Sequence, residues 1–498
     1  MSMLKRRLIV YAVLAGLNVV FSIGLAASRG YTGFPLDDAW IHQTYARNWA
    51  ETGQLAFVIG QPSAGSTSLL WTFLISIAYR LRIDPLVWTA ILATASLALS
   101  AWLLSRLADR LMPGRQGVAW AVGLACVLEW HMIWAAASGM ETMLFIALAL
   151  AVMERVLAGA PGWTIGLCGG LLTLTRPEGL LLIGLAAIAV LTRPSRGGPR
   201  QVLGLIACGF IVLAPGLWFN WQAGGSLFPN TFYAKQREYA ELFNDMSVWL
   251  RSVVEMVIVP FAGAQLLLIP GLAIWSIAQW RTLRRAGRKM WAPIGLQSMP
   301  LIWAGAHGLI YALRLPVAYQ HGRYLIPIIP IVLLYGITGT AILLRRRSDR
   351  AEGARRLMRV ATLALSGAFG VVLVAFVPVG ASAYASDVAI IDDEMVSVAR
   401  WLNLHTPPGA LIAAHDIGAI GYFTRRPLLD LAGLISPEVI PFIRDEARLQ
   451  DWIQARRADY LVTFPGWYPN LTRAPSWTPV FSGGSSFSPE HLTVFKMR

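Results

Sequence analysis

Charge is what this sequence has least of. Asp, Glu, Lys and Arg make up 14% of its 498 residues, against about a quarter in ordinary soluble domains, and that deficit excludes a soluble globular chain. With 56% hydrophobic residues and a mean hydropathy of +0.55, the composition is that of a polytopic membrane protein. Acids are scarcer than bases, 27 against 42. The Lys and Arg residues fall in short runs between apolar segments and form no continuous basic stripe, so the net charge of +15 reads as membrane topology and not as a nucleic-acid surface. Cysteine is nearly absent. Cys126, Cys168 and Cys208 all lie inside apolar runs, with neither CxxC nor metal-ligand spacing, and are expected to be packing residues. The chain also lacks a GxGxxG or Walker-type loop, a His/Cys cluster suited to zinc, internal repeats and low-complexity tracts.

What the chain has in quantity is long apolar runs. Eleven candidate spans lie near 8–27, 86–107, 118–137, 142–157, 163–175, 179–191, 202–221, 253–280, 294–313, 324–344 and 357–380. The first follows a charged start but is too long for a signal-peptide core, so it is expected to stay as a helix. With the N-terminus inside, the cytoplasmic loops collect Arg106, Arg110 and Arg115, then Arg193, Arg196 and Arg200, then Arg281, Arg284, Arg285, Arg288 and Lys289, then Arg345, Arg346, Arg347, Arg350, Arg355 and Arg356. This is the positive-inside pattern, and eleven crossings place the C-terminus outside. Three outer pieces exceed mere turns: 28–85, 223–252 and 381–498. In the last, β-prone runs such as "ALIAAHDIGAIGYFT" alternate with helical ones such as "PEVIPFIRDEARLQDWIQARR". The expected organisation is a mainly α membrane bundle over 1–380 and a small extracytoplasmic α/β domain over 381–498.

On the outer side the scarce charges recur. "GFPLDDAWIHQTYARNWAETGQ" opens the first loop with Asp37 and Asp38. Its Trp40, Ile41, Tyr45 and Trp49 recur at helical spacing up to Gly53, which predicts an amphipathic helix lying in the membrane interface. An acidic pair at that point can cap the helix or carry chemistry. "GQPSAGSTSLLW" feeds a second surface helix, "ASGMET" places Glu141 in a short turn, and "TRPEG" places Arg176 and Glu178 in another. "SLFPNTFYAKQREYAE" carries Tyr233 and Lys235, and "YQHGRYLIP" carries His321 and Arg323. Each has a structural alternative: Glu141 as a helix start, Arg176 as a snorkelling anchor, Lys235 as a solvated charge, His321 and Arg323 as interfacial anchors. Together they gather ionisable groups on one face of a protein that otherwise excludes them.

In order along the chain, "LDDAWIHQTYARN", "GSTSLLWT", "GMET", "PNTFYAK", "HGRYLIP" and an outer C-terminal domain resemble the GT-C superfamily of integral-membrane glycosyltransferases. The likeness is greatest to mycobacterial-type arabinofuranosyltransferases that use decaprenyl-phosphoryl arabinose, and more distant to lipid A aminoarabinose transferases and protein O-mannosyltransferases. It covers the membrane region and departs in the C-terminal domain, which carries no obvious carbohydrate-binding signature. The resemblance implies transfer of a sugar from a polyprenyl phosphate to an acceptor hydroxyl of a glycan, lipid or protein at the outer face of the plasma membrane. Asp37 or Asp38 would serve as the carboxylate acting at the sugar, and Glu141 as a second acid. Lys235, Arg323 and Arg176 would hold the phosphate, with His321 and Tyr233 as hydrogen-bond donors and His42, one turn after Asp38, as an orienting group. No obligatory cofactor is expected. A divalent cation on Asp37, Asp38 and Glu141 would be a second way to neutralise the phosphate. A transporter or flippase of lipid-linked sugars would instead show charges near the bilayer midplane and inverted hydropathy repeats, and the sequence displays neither.

Overall fold

The computed structural model describes residues 3–193, 198–286, 291–345 and 352–498. Arg196, Arg288, Lys289, Arg346, Arg347 and Arg350 of the basic loops lie outside the described residues. The apolar runs are helical. In chain order the first fourteen helices are α1 (Met3–Ser28), α2 (Asp37–Thr52), α3 (Leu69–Leu81), α4 (Pro85–Leu111), α5 (Gln116–Leu128), α6 (Trp130–Ala137), α7 (Thr142–Ala158), α8 (Gly162–Thr175), α9 (Gly179–Leu191), α10 (Gly198–Gly224), α11 (Asn230–Glu238), α12 (Met246–Ile258), α13 (Ile269–Ala286) and α14 (Trp291–Arg314). Helices Ile329–Arg345 and Glu352–Ile391 complete the bundle. Among the described residues six helical stretches are long and apolar enough to cross a membrane, or seven if the bent pair α5 and α6 is one span. This is a multi-pass membrane protein.

Two runs are not the single spans expected of them. The run at 118–137 bends by 51° between α5 and α6, where Glu129 leaves the helical conformation and caps α6 by accepting from the Met132 N–H. The run at 253–280 breaks into α12, two short 3₁₀ turns and α13. Pro260 lacks an N–H to continue the ladder, and Gly263 adopts a φ of 137° open to glycine alone. The short α8 compensates for its length by intimate packing. A Cβ at Gly162 or Gly166 would stand 1.9 Å or 2.2 Å from a backbone oxygen of α10, so these glycines let two helix backbones touch.

One end of the bundle is basic and ion-paired: Arg7 binds Asp109, and Arg106 and Arg110 converge on Glu154. The opposite end carries α2, α3, α11 and the C-terminal residues. There α2 departs from expectation. It does not lie exposed in an interface; every residue from Ala39 to Asn48 is buried, because Trp40 packs on Phe34, Tyr422 and Phe423 and Tyr45 on Phe57. Gly53 ends the helix in the left-handed conformation.

Helix Glu352–Ile391 continues through residue 381, and a π-turn at Asp392–Val396 joins it to Ser397–His405. Beyond lie five strands, β1 (Ile412–Ala414), β2 (Leu428–Asp430), β3 (Tyr460–Thr463), β4 (Trp477–Ser482) and β5 (Thr493–Met497), in the order β2-β1-β3-β5-β4. β1 is parallel to β2 and β3, and β5 is antiparallel to β3 and β4. Alternate residues face two cores: Ala413, Leu461 and Phe495 join Leu449, Trp452 and Ile453, while Ile412, Ala414, Val462 and Val494 belong to the core that continues into the bundle. Burial on both faces is why these strands read as unbroken apolar runs. The sheet is oriented so that the loops after β1 and β2 meet α2 and α11, which brings the C-terminal ends of parallel strands, where α/β folds bind ligands, to the charged end of the bundle.

Candidate active site

The two acids that open α2 point apart, as neighbours on a helix must. Neither caps its own helix, whose N-cap residue, Leu36, accepts no side-chain bond. The Asp37 carboxylate accepts hydrogen bonds from the backbone N–H groups of Gly418 (2.7 Å) and Ala419 (2.8 Å), the first residues of helix Gly418–Thr424 in the C-terminal region. The approach is so close that a Cβ at 418 would stand 2.1 Å from the Asp37 backbone oxygen. Burial and the neighbouring Asp416 push the Asp37 carboxyl up to about 7, and burial pushes Asp416 up to about 6.

Asp38 meets Arg323 at 2.6 Å and Lys235 at 3.5 Å. Burial alone would raise its pKa, but these two cations outweigh burial and hold it well below the usual carboxylate range. Lys235 Nζ and Arg323 Nη2 each donate to the Tyr324 hydroxyl at 3.1 Å, and Arg323 also lies over the Tyr324 ring at 5.0 Å. Arg323 Nε and Nη1 are buried and have no partner. The backbone reaches this position through three successive left-handed residues, Gln320, His321 and Gly322, with φ of 53°, 58° and 65°. Such a run is costly for side-chain-bearing residues, and strain of that kind gathers at functional sites.

A second charged group follows one helical turn along α2. His42 Nε2 lies 3.3 Å from Glu141 Oε2, and Arg176 binds Glu141 Oε1 at 2.6 Å and Thr142 Oγ1 at 3.0 Å. Tyr311 donates to Glu178 Oε1 at 2.6 Å. Both groups line one cavity of about 700 Å³, whose remaining wall is mainly apolar and includes Leu180, Leu181, Phe228, Phe232, Ile310 and Leu315. Leu434, after β2, closes it from the C-terminal side, where its carbonyl accepts from Asn230 of α11.

Of the residues singled out from sequence, the cavity brings together Asp38, His42, Glu141, Arg176, Tyr233, Lys235 and Arg323. Asp37 is turned away onto Gly418 and Ala419. His321 is also elsewhere: its left-handed backbone directs the ring away from Arg323, onto Asp387 at 2.7 Å and edge-on to Trp130 and Trp134. Asp37, Asp38 and Glu141 do not form the cation site considered for them, since each carboxylate is committed to a different partner. No group of three or more His, Cys, Asp or Glu converges among the described residues. Sequence reasoning missed Glu178 as a site residue, together with Tyr311, Tyr324 and the His415–Asp416 pair after β1. His415 contacts Glu238 of α11 at 3.6 Å and Tyr468 at 2.7 Å. For His415 and Asp416 the available signal is the position of "AAHDIG" at the end of a β-prone run, through the strand-end rule.

Solved structures share this fold over nearly the whole chain. ArnT from Cupriavidus metallidurans superposes with a TM-score of 0.57 in its apo state, at 14% identity, covering 99% of this chain and 98% of that one; its complex with undecaprenyl phosphate gives 0.55. The fold is GT-C. The Archaeoglobus fulgidus oligosaccharyltransferase in its apo form gives a TM-score of 0.57 at 12% identity, over 98% of this chain and 74% of that one. A mutant of the arabinofuranosyltransferase AftD from Mycobacteria gives 0.53 at 17%, over 100% of this chain and 42% of the other. One family model matches, described as a domain of unknown function (DUF8728), over residues 389–495. A search of curated proteins finds no match.

Proposed function

We propose that this GT-C protein is a glycosyltransferase that moves a sugar from a polyprenyl phosphate to an acceptor hydroxyl of a cell-envelope glycan, lipid or protein. The observation that carries the reading is Arg323: a buried guanidinium, paired through Nη2 with Asp38 and Tyr324, keeps two nitrogens, Nε and Nη1, without a partner inside a 700 Å³ cavity with a mainly apolar wall. Two cations and one carboxylate leave a single positive charge, the complement of a phosphodiester, and the apolar wall suits the first isoprene units. The complex of ArnT with undecaprenyl phosphate is in keeping with such a donor, and the likeness to AftD favours a pentose, arabinofuranose foremost.

In this reading the acceptor oxygen bonds to the anomeric carbon as the bond from that carbon to the phosphate oxygen breaks. The electron pair of that bond goes to the phosphate, where Arg323 and Lys235 stabilise it. Asp38 takes the acceptor proton. Its low pKa is that of a carboxylate which stays ionised until the acceptor hydroxyl becomes acidic in the transition state, and phosphate binding draws Arg323 and Lys235 away from it. Glu141 fixes Arg176 and His42, and Asp37 ties the C-terminal domain, residues 381–498, over the membrane domain, residues 1–380. This face is assigned to the outer side of the plasma membrane, on the strength of the basic loops at the other end. The test is turnover: purified protein in proteoliposomes with decaprenyl-phosphoryl [14C]arabinose and an arabinan or lipid acceptor should release decaprenyl phosphate and label the acceptor. Transbilayer movement of the donor without cleavage would overturn the transferase in favour of a flippase.

A further inference from the structure

The cavity holds more polar machinery than a phosphate requires. We propose that Arg176, Glu141 and Glu178 form the subsite for the donor's sugar ring, and that their charge admits a neutral or amino-substituted sugar and rejects a uronic acid. This inference rests on the phosphate assignment to Arg323 and Lys235.

Two atoms of this group are buried without a hydrogen-bond partner, Arg176 Nη1 and Glu178 Oε2, while Glu141 orients the group, with Oε1 on Arg176 and Oε2 3.3 Å from His42 Nε2. The Arg176 and Glu141 side chains are only 6% and 2% exposed, and all three residues line the cavity. Unpaired buried polar atoms are costly, and in a ligand cavity they mark what the ligand supplies. A guanidinium NH₂ donor beside a carboxylate acceptor is complementary to adjacent sugar hydroxyls, each of which donates once and accepts. The position also fits. His42, in contact with Glu141, lies one turn from Asp38 on α2, about 6 Å along the helix, and the anomeric carbon is joined to the phosphate by a single oxygen. Tyr311, which donates to Glu178, stacks on Tyr324 at 5.0 Å, so the two polar groups share a wall.

Charge then selects the sugar. Two carboxylates and one guanidinium leave one net negative charge on the sugar side, opposite to the phosphate side. Arg314 is the one further cation lining the cavity among the described residues; it is solvent-exposed, over the Phe232 ring. A sugar carboxylate would face Glu178 Oε2 in desolvated surroundings, where like charges repel strongly. A hydroxyl or ammonium would donate to the same atom.

The experiment measures affinities in nanodiscs for four probes: decaprenyl phosphate without sugar, and decaprenyl-phosphoryl arabinose, glucose and glucuronate. Wild type is expected to bind the glucuronate at least about tenfold more weakly than the glucose donor. Glu178→Gln should bring that ratio to within about threefold and weaken arabinose and glucose binding about tenfold, leaving sugar-free decaprenyl phosphate within twofold. Tyr311→Phe, which keeps the carboxylate charge, should weaken the neutral donors and preserve discrimination. It carries the test if Glu178→Gln does not fold. Equal binding of glucose and glucuronate donors by wild type, or an unchanged ratio in folded Glu178→Gln, overturns the inference. If Arg323→Ala binds sugar-free decaprenyl phosphate as wild type does, the phosphate assignment fails first and takes the sugar subsite with it; if that binding is lost while Glu178→Gln changes nothing, the sugar subsite alone fails.

Discussion

Removing Arg323 is the perturbation that bears hardest on the proposed chemistry. Its side chain is 6% exposed, against 25% for Lys235, so water screens its interactions little, and its Nε and Nη1 are free to meet phosphate oxygens. A charge-assisted hydrogen bond of this kind is worth about 1.5–3 kcal/mol. Losing even one raises the apparent donor KM about 10- to 150-fold. Arg323→Ala should therefore fall in that range or above it, and Arg323→Lys should recover only part, because a point charge cannot reproduce the two-pronged geometry. Lys235→Ala should cost less, since its ammonium is 3.5 Å from Asp38 and more solvated. The assay is initial transfer rate against donor concentration in proteoliposomes, with thermal unfolding measured in parallel to exclude misfolding. Donor dependence within twofold of wild type for both alanine variants would move the phosphate site elsewhere and refute the reasoning.

Asp38→Asn should fold normally and lose roughly two or more orders of magnitude in transfer rate, as removal of a general base does, and a fully active variant on a verified donor and acceptor would return Glu141 as the leading acid. Asp37→Asn should instead keep most of the chemistry but loosen the C-terminal region, seen as faster hydrogen exchange at Gly418 and Ala419. Thermal stability should fall as pH rises from about 4 to 7. The folded state holds on Asp37, pushed up to about 7, a proton that the unfolded chain with its ordinary value of 3.8 has already released, and Asp37→Asn should flatten that slope. For topology, an impermeant thiol reagent on intact cells should label Gly466→Cys and spare Arg285→Cys; the reverse would invert the placement of the site.

How much of this was legible follows from where charge is rare. Asp38, Glu141, Arg176, Lys235 and Arg323 stood out because a chain with 14% charged residues rarely places ionisable groups at span ends without a use, and they converge in one cavity. His321 misled because sequence adjacency to Arg323 says nothing of the left-handed backbone that turns the ring towards Asp387. Tyr311 gave no signal, being one more aromatic in an apolar run, until its hydroxyl was found on Glu178. The helical period of α2 is legible in the sequence and its environment is not: its aromatic stripe suits a membrane interface and a protein interface equally, and Tyr422 and Phe423 occupy the place expected for lipid.

The acidic pair that opens α2 therefore divides its work by direction. Asp38 faces the cavity and its cations, while Asp37 reaches the first turn of a helix some 380 residues on. Nothing in a local reading could pair those positions, yet the consequence is large. By fixing Gly418 against α2, Asp37 seats the ends of β1 and β2 over the bundle, so that Leu434 becomes cavity wall and His415 meets Glu238. The C-terminal region is thus part of the site's enclosure, through Leu434. Because the fastening carboxyl titrates near neutrality and its neighbour Asp416 near 6, the firmness of that enclosure is coupled to the protonation of two acids that take no part in holding the phosphate.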